Sequence, residues 1–145
     1  MGGWRGLGSC RGALAQRGID LVLDFVPNHT GFDHEWIRAA PELYVQDTLV
    51  SYRAEPGLYR AIEGPGGGDV RFFACGRDPF FPPWRDVAQL NYFNPATREV
   101  ITNELQTIAL HRDGVRCDMA MLVLNAPAQR YASTTAHQRS RRRCV

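Results

Sequence analysis

The chain has 145 residues, 44% hydrophobic and 22% charged, with a formal net charge of +2. That average globular composition excludes a chain disordered throughout. The absence of any apolar run of 18 or more residues excludes a transmembrane helix.

Charge is unevenly spread. All 17 basic residues are arginine, and five of them (Arg130, Arg139, Arg141, Arg142 and Arg143) fall in the acid-free stretch 126–145. An arginine cluster reads either as an arm for nucleic acid or a membrane surface, or as an unstructured end. With no helical apolar stripe and only Tyr131 between the charges, the expectation is a disordered tail with no nucleic-acid or membrane partner. No signal peptide is visible, so the chain as encoded reads as cytoplasmic. Cys10, Cys75, Cys117 and Cys144 form no CxxC pair, so no metal site of the usual zinc spacing is expected.

Residues 1–17 are rich in glycine and arginine, and their second half reads as the end of a helix that stops at Gly18. The run Ile19–Val26 is apolar and β-branched between Gly18 and Pro27, the pattern of a parallel strand buried on both faces. Asp24 inside it is costly unless paired or hydrogen-bonded. From about 30 to 90 the texture changes, with six prolines from Pro41 to Pro83 and many aromatics, among them Tyr44, Phe73, Phe80, Phe81 and Trp84. A segment this long is more than a loop. It reads as an irregular inserted subdomain, its aromatics forming a small core of their own or lining a ligand site.

Asn94 and Pro95 open a helix as N-cap and first helical residue. Val100, Ile101, Leu105, Ile108 and Ala109 recur along it at helical spacing. After Asp113-Gly114 the run Val115–Leu124 begins a second buried strand, with Cys117 as a small buried hydrophobe. A strand, an excursion, a helix and a strand make a parallel α/β unit. Its reactive groups are expected at the carboxyl ends of the strands, at Asn28 and His29 and at Arg116 and Asp118. Arg116 and Asp118 are two apart and share a strand face. An arginine beside a carboxylate favours its ionised form, which suits nucleophilic attack; the same pair, buried, would only fix packing.

Three strings resemble the α-amylase family, glycoside hydrolase family 13. Asp24-Phe25-Val26-Pro27-Asn28-His29 is similar to its first signature region, and Gly114-Val115-Arg116-Cys117-Asp118 to its second, G-x-R-x-D. Between them, Trp84 to Pro95 is similar to the lead-in to the helix before the nucleophile strand. The resemblance covers residues 18–125. It implies the third and fourth strands of a (β/α)8 TIM barrel with the inserted domain B at about 30–90. A complete barrel takes about 250 residues, so this chain would hold a fragment.

The resemblance also implies roles. Asp118 matches the nucleophile of a retaining double displacement, and Arg116 the arginine that orients it. His29 matches the histidine that contacts the sugar, with Asn28 expected beside it as a substrate-binding residue, and Asp24 matches a structural aspartate. Asn28 matches a position that binds calcium in some members. Many members carry a Lys–His pair where this chain has Met121 and Leu122, so no firmly bound calcium and no cofactor is expected. The implied partner is an α-glucan or maltooligosaccharide, and the implied activity is that of a glycosidase or transglycosidase. No Asp or Glu follows Asp118 in the sequence, whereas retaining glycosidases need two carboxyl groups. The expectation is therefore a chain whose ends are frame-shifted or truncated, inactive by itself, with a non-catalytic sugar-binding remnant as the alternative.

Overall fold

The computed structural model describes residues 2–64, 66–78 and 80–124; the stretch 126–145, expected to be disordered, lies outside the described residues. The chain opens with helix α1 (Gly3–Ala15), strand β1 (Val22–Phe25), strand β2 (His29–Gly31), helix α2 (Trp36–Ala39) and strand β3 (Gln46–Asp47). Helix α3 (Leu49–Ala54) and strands β4 (Tyr59–Glu63), β5 (Val70–Gly76) and β6 (Trp84–Gln89) follow. Helix α4 (Pro95–Ala109), strand β7 (Gly114–Cys117) and a 3₁₀ turn (Ala120–Val123) complete the described chain. Among the described residues no helix is long and apolar enough to cross a membrane.

β1 and β7 pair in parallel, with Val22, Leu23, Asp24 and Phe25 opposite Gly114, Val115, Arg116 and Cys117. The parallel order read from the sequence holds, but the expected burial does not. Neither strand contains a fully buried residue. Val22 is 57% exposed and Cys117 is also exposed, contrary to its reading as a buried hydrophobe. The reason is architectural: among the described residues this sheet has two strands, and an apolar run is buried only where other elements cover it. The second strand is also shorter than expected. Met119 takes a left-handed backbone (φ 59°), which turns the chain out of the extended path.

The excursion is a sheet, not an irregular insert. β2, β6, β5 and β3 form an antiparallel path, and β4 joins the other side of β5 as a fifth strand. The described prolines of this segment fall between strands. Pro41 and Pro56 open short 3₁₀ turns, and Pro82 and Pro83 precede β6. Proline lacks the N–H that a ladder needs, so this placement leaves the strands free to pair.

The core sits on this sheet. Ile37, Leu43, Tyr44, Phe73, Ala88 and Leu90 are buried together, fringed by Trp36, Tyr92, Val100 and Ile101. Tyr44 and Phe73 meet edge to face, with ring centroids 5.9 Å apart. The expectation that aromatics build the subdomain's own core holds for these two, while Phe80 and Phe81 are exposed.

α4 forms as its sequence dictates. The Asn94 side chain accepts from the Ala96 N–H at 3.0 Å, and Pro95 takes the first turn. Thr97, Val100 and Ile101 lie toward the sheet, where the Thr97 hydroxyl donates to the Leu43 carbonyl at 3.2 Å. α1 is longer than the sequence suggests. Its glycines each cost about 1 kcal/mol relative to alanine, and long-range contacts offset this. Trp4 stacks on His111 at 4.5 Å, and Arg11 Nε donates to Asp113 Oδ1 at 3.0 Å. Asp113 Oδ2 in turn accepts from the Leu21 N–H at 2.9 Å, tying α1 to the entry of β1.

Candidate functional site

The two sheets meet where β1 ends. Val26, Pro27 and Asn28 join β1 to β2, so Asn28 and His29 leave the parallel pair and enter the antiparallel sheet. Asp118 follows directly after β7, and its N–H donates to the Phe25 carbonyl at 2.9 Å, which extends the parallel pairing by one step. The carboxyl ends of both parallel strands therefore face the start of β2.

Arg116 spans two carboxylates. Its Nη1 donates to Asp24 Oδ2 at 3.0 Å, and its Nη2 lies 3.3 Å from Asp118 Oδ1. The side chains of Arg116 and Asp118 are 61% and 44% exposed, so this is an open pair rather than buried packing. Asp24 is likewise open to solvent, so the burial cost expected for it does not arise, and its contact with Arg116 is an exposed ion pair.

His29 is half-buried. Its ring lies 5.4 Å from the Trp84 ring. Burial pushes its pKa below the ordinary 6.5, while the charges of Asp86 and Asp118 pull it back up. His29 thus shares an electrostatic neighbourhood with Asp118, and the structure brings together His29, Arg116, Asp118 and Asp24. Gly76 makes room for the imidazole. A Cβ there would lie 3.3 Å from His29 Cβ and 2.8 Å from Val87 Cγ2.

Asn28 is buried beside His29 in an amide pair. It is 1% exposed, and its amide faces that of Gln89. Gln89 Nε2 donates to the Asn28 main-chain oxygen at 2.9 Å and to Asn28 Oδ1 at 3.1 Å. Asn28 Nδ2 lies 3.4 Å from Gln89 Oε1 and 3.3 Å from His29 Nδ1. Tyr92 closes the other side, donating to the Pro27 carbonyl at 2.7 Å. Burial pushes the Tyr92 phenol up to about 12, so it remains a donor.

Calcium takes six to eight oxygen ligands at about 2.3–2.6 Å. Asn28 Oδ1 already accepts from an amide N–H. Among the described residues no three His, Cys, Asp or Glu side chains gather as a metal cluster.

Sequence reasoning missed Gln89, Trp84, Gly76 and Tyr92 as parts of this site. Gln89 carried no usable signal, since its burial between Ala88 and Leu90 is set by the folded sheet and its partner lies 61 residues away. Gly76 carried none, because its closeness to His29 arises across strands.

No family profile and no curated protein matches the chain. Among solved structures it is similar to an α-amylase from H. orenii, at 24% identity and a TM-score of 0.53 over 91% of this chain. The fold is amylase-like. The chain spans 27% of the length of that structure. Within this amylase-like fold, the parallel pair and the antiparallel sheet join at Asn28.

Proposed function

We propose that the chain is part of an α-amylase-family catalytic domain, acting on α-glucans or maltooligosaccharides by retaining double displacement. In this reading β1 and β7 are the third and fourth strands of a TIM barrel, and the β2–β6 sheet belongs to domain B. Asp118 is the nucleophile, Arg116 orients it, and His29 contacts the sugar. The observation that carries the reading is the Arg116–Asp118 pair, 3.3 Å apart at the carboxyl end of a parallel strand, with His29 in its electrostatic field. The amylase-like fold supports it, as do the three signature-like strings.

The chemistry follows from the residues. Asp118 Oδ attacks the anomeric carbon, the glycosidic C–O bond breaks, and a glycosyl ester forms on Asp118. Arg116 restrains the carboxylate through charge-assisted contact. Leaving-group protonation and water activation need a second carboxyl group. No acidic residue follows Asp118 in this sequence, and in this reading that group is supplied from outside the 145-residue chain. Acid–base assistance is worth about 10²–10⁴-fold, so the chain alone is expected to turn over α-glucosides at background rate.

The nucleophile half can be tested separately. A 5-fluoro-α-glucosyl fluoride leaves as fluoride without needing a proton, so it reports on the nucleophile alone. The expected result is a glycosyl adduct on Asp118 by peptide mass spectrometry, absent in Asp118→Asn. An adduct on another residue, or none, would overturn the assignment.

A further inference from the structure

We propose that Gln89 is a positioning residue: through Asn28 it fixes the His29 ring with Nδ1 bare and the proton on Nε2. Hydrogen-bond polarity sets this arrangement whatever ligand the cleft takes. The main-chain oxygen of Asn28 can only accept.

The Asn28 carbonyl accepts from one end of the Gln89 amide at 2.9 Å, and the Leu90 carbonyl lies 3.3 Å from the same atom. That end must be the nitrogen, because an oxygen there would face two carbonyl oxygens. Gln89 Nε2 then donates to the nearer side-chain atom of Asn28 at 3.1 Å, which must be Oδ1. The remaining Asn28 atom is therefore Nδ2, which has hydrogens and no lone pair to offer. It lies 3.3 Å from His29 Nδ1, so Nδ1 must accept and the ring proton must sit on Nε2. The Leu90 N–H, donating to the Asn28 carbonyl at 3.2 Å, holds the same segment from the backbone.

Burial makes this chain of polarity consequential. Asn28 and Gln89 are both buried, so an amide turned the wrong way could not exchange its lost bond for one to water. The site residues are 61 apart in sequence, and Gln89 reaches back across the sheet to set them. A ring held in this form has a donor as its one remaining polar atom. It meets a ligand through an acceptor oxygen, such as a hydroxyl or a carboxylate, and not through a donor. Protonating Nδ1 would set two N–H groups against each other, so the same contact opposes the charged imidazolium.

Long-range ¹H–¹⁵N correlation spectra of the uniformly labelled full chain read the tautomer directly, with His29→Gln identifying the resonances. The wild type is expected to show the Nε2–H form alone. Asn28→Asp replaces the donor facing Nδ1 with an acceptor, and the ring is expected to switch to Nδ1–H. Gln89→Leu frees the Asn28 amide to rotate, and a mixture of both tautomers is expected. A purely structural Gln89 would change stability and leave the tautomer alone. An Nδ1–H ring in the wild type, or an unchanged Nε2–H ring in Gln89→Leu, would overturn the proposal. If Gln89→Leu does not fold, the wild type and Asn28→Asp decide it, and an unswitched ring in Asn28→Asp counts against it.

Discussion

Asp24 stands directly opposite Arg116 in the parallel register, and Arg116 Nη1 donates to it at 3.0 Å. The same guanidinium holds Asp118 through its other terminal nitrogen. An exposed ion pair of this kind contributes about 0–1 kcal/mol to stability. Arg116→Ala is therefore expected to leave the urea midpoint nearly unchanged while slowing fluoride-driven labelling of Asp118 about tenfold or more. Arg116→Lys keeps the charge and loses the two-pronged geometry, so it should recover only part of the rate. Equal labelling rates in all three proteins would remove Arg116 from its proposed role.

His29 carries a pH signature. Burial is the largest influence on it and holds its folded pKa below the ordinary 6.5, against the pull of Asp86 and Asp118. As pH falls through 6.5 the unfolded chain takes up the proton before the folded one does. Stability should then decline with falling pH until the folded ring protonates, and it should be free of this penalty above that window. Urea titrations from neutral to mildly acidic pH should show the decline, and His29→Gln should flatten it. An identical slope in the variant would refute the assignment.

Gly76 marks a close approach of three strands. Its missing Cβ would lie 2.8 Å from Val87 Cγ2, a stiff branched methyl with little room to move. Gly76→Ala is expected to cost about 1–3 kcal/mol through overpacking. Val87→Ala in the same chain should recover part of that loss, giving a favourable coupling in a double-mutant cycle. Strict additivity would show that the contact is not the cause.

The β1–β7 pair has an open edge on each side within its two-stranded sheet, and Val22 is 57% exposed on it. Unpaired strand edges with apolar side chains invite pairing between copies. Concentration-dependent association should be visible by light scattering, and Val22→Lys should reduce it without changing the near-ultraviolet signal of the aromatic core. Equal association of both proteins would place the sticky surface elsewhere.

Calcium is expected to leave the melting temperature of the chain unchanged, since the Asn28 side chain is already held by Gln89. A calcium-dependent rise of several degrees would show that the amide pair opens to a cation. Gln89→Leu provides the complementary measurement, and a stability loss without any gain of calcium response is the expected result.

The local chemistry of the sequence determined a good deal. The Asn94 cap and Pro95 set the start of α4 because capping depends on atoms two or three residues apart. The two-residue spacing of Arg116 and Asp118 put them on one face, because side chains alternate along a strand. The order of strand, excursion, helix and strand was enough to make β1 and β7 parallel.

Tertiary structure decided what local pattern cannot carry. Ile19–Val26 and Cys117 look like buried sequence, yet burial depends on what packs over a strand, and among the described residues β1 and β7 pair only with each other. The proline-rich excursion became a sheet because its described prolines fall between strands, a placement that appears only once β4, β5 and β6 are paired. Asn28 forms one half of a buried amide pair with Gln89. Partners 61 residues apart leave no trace in any window of sequence. Only the folded sheet brings a buried donor to a buried acceptor, and the cost of leaving either unmet then sets how each is turned.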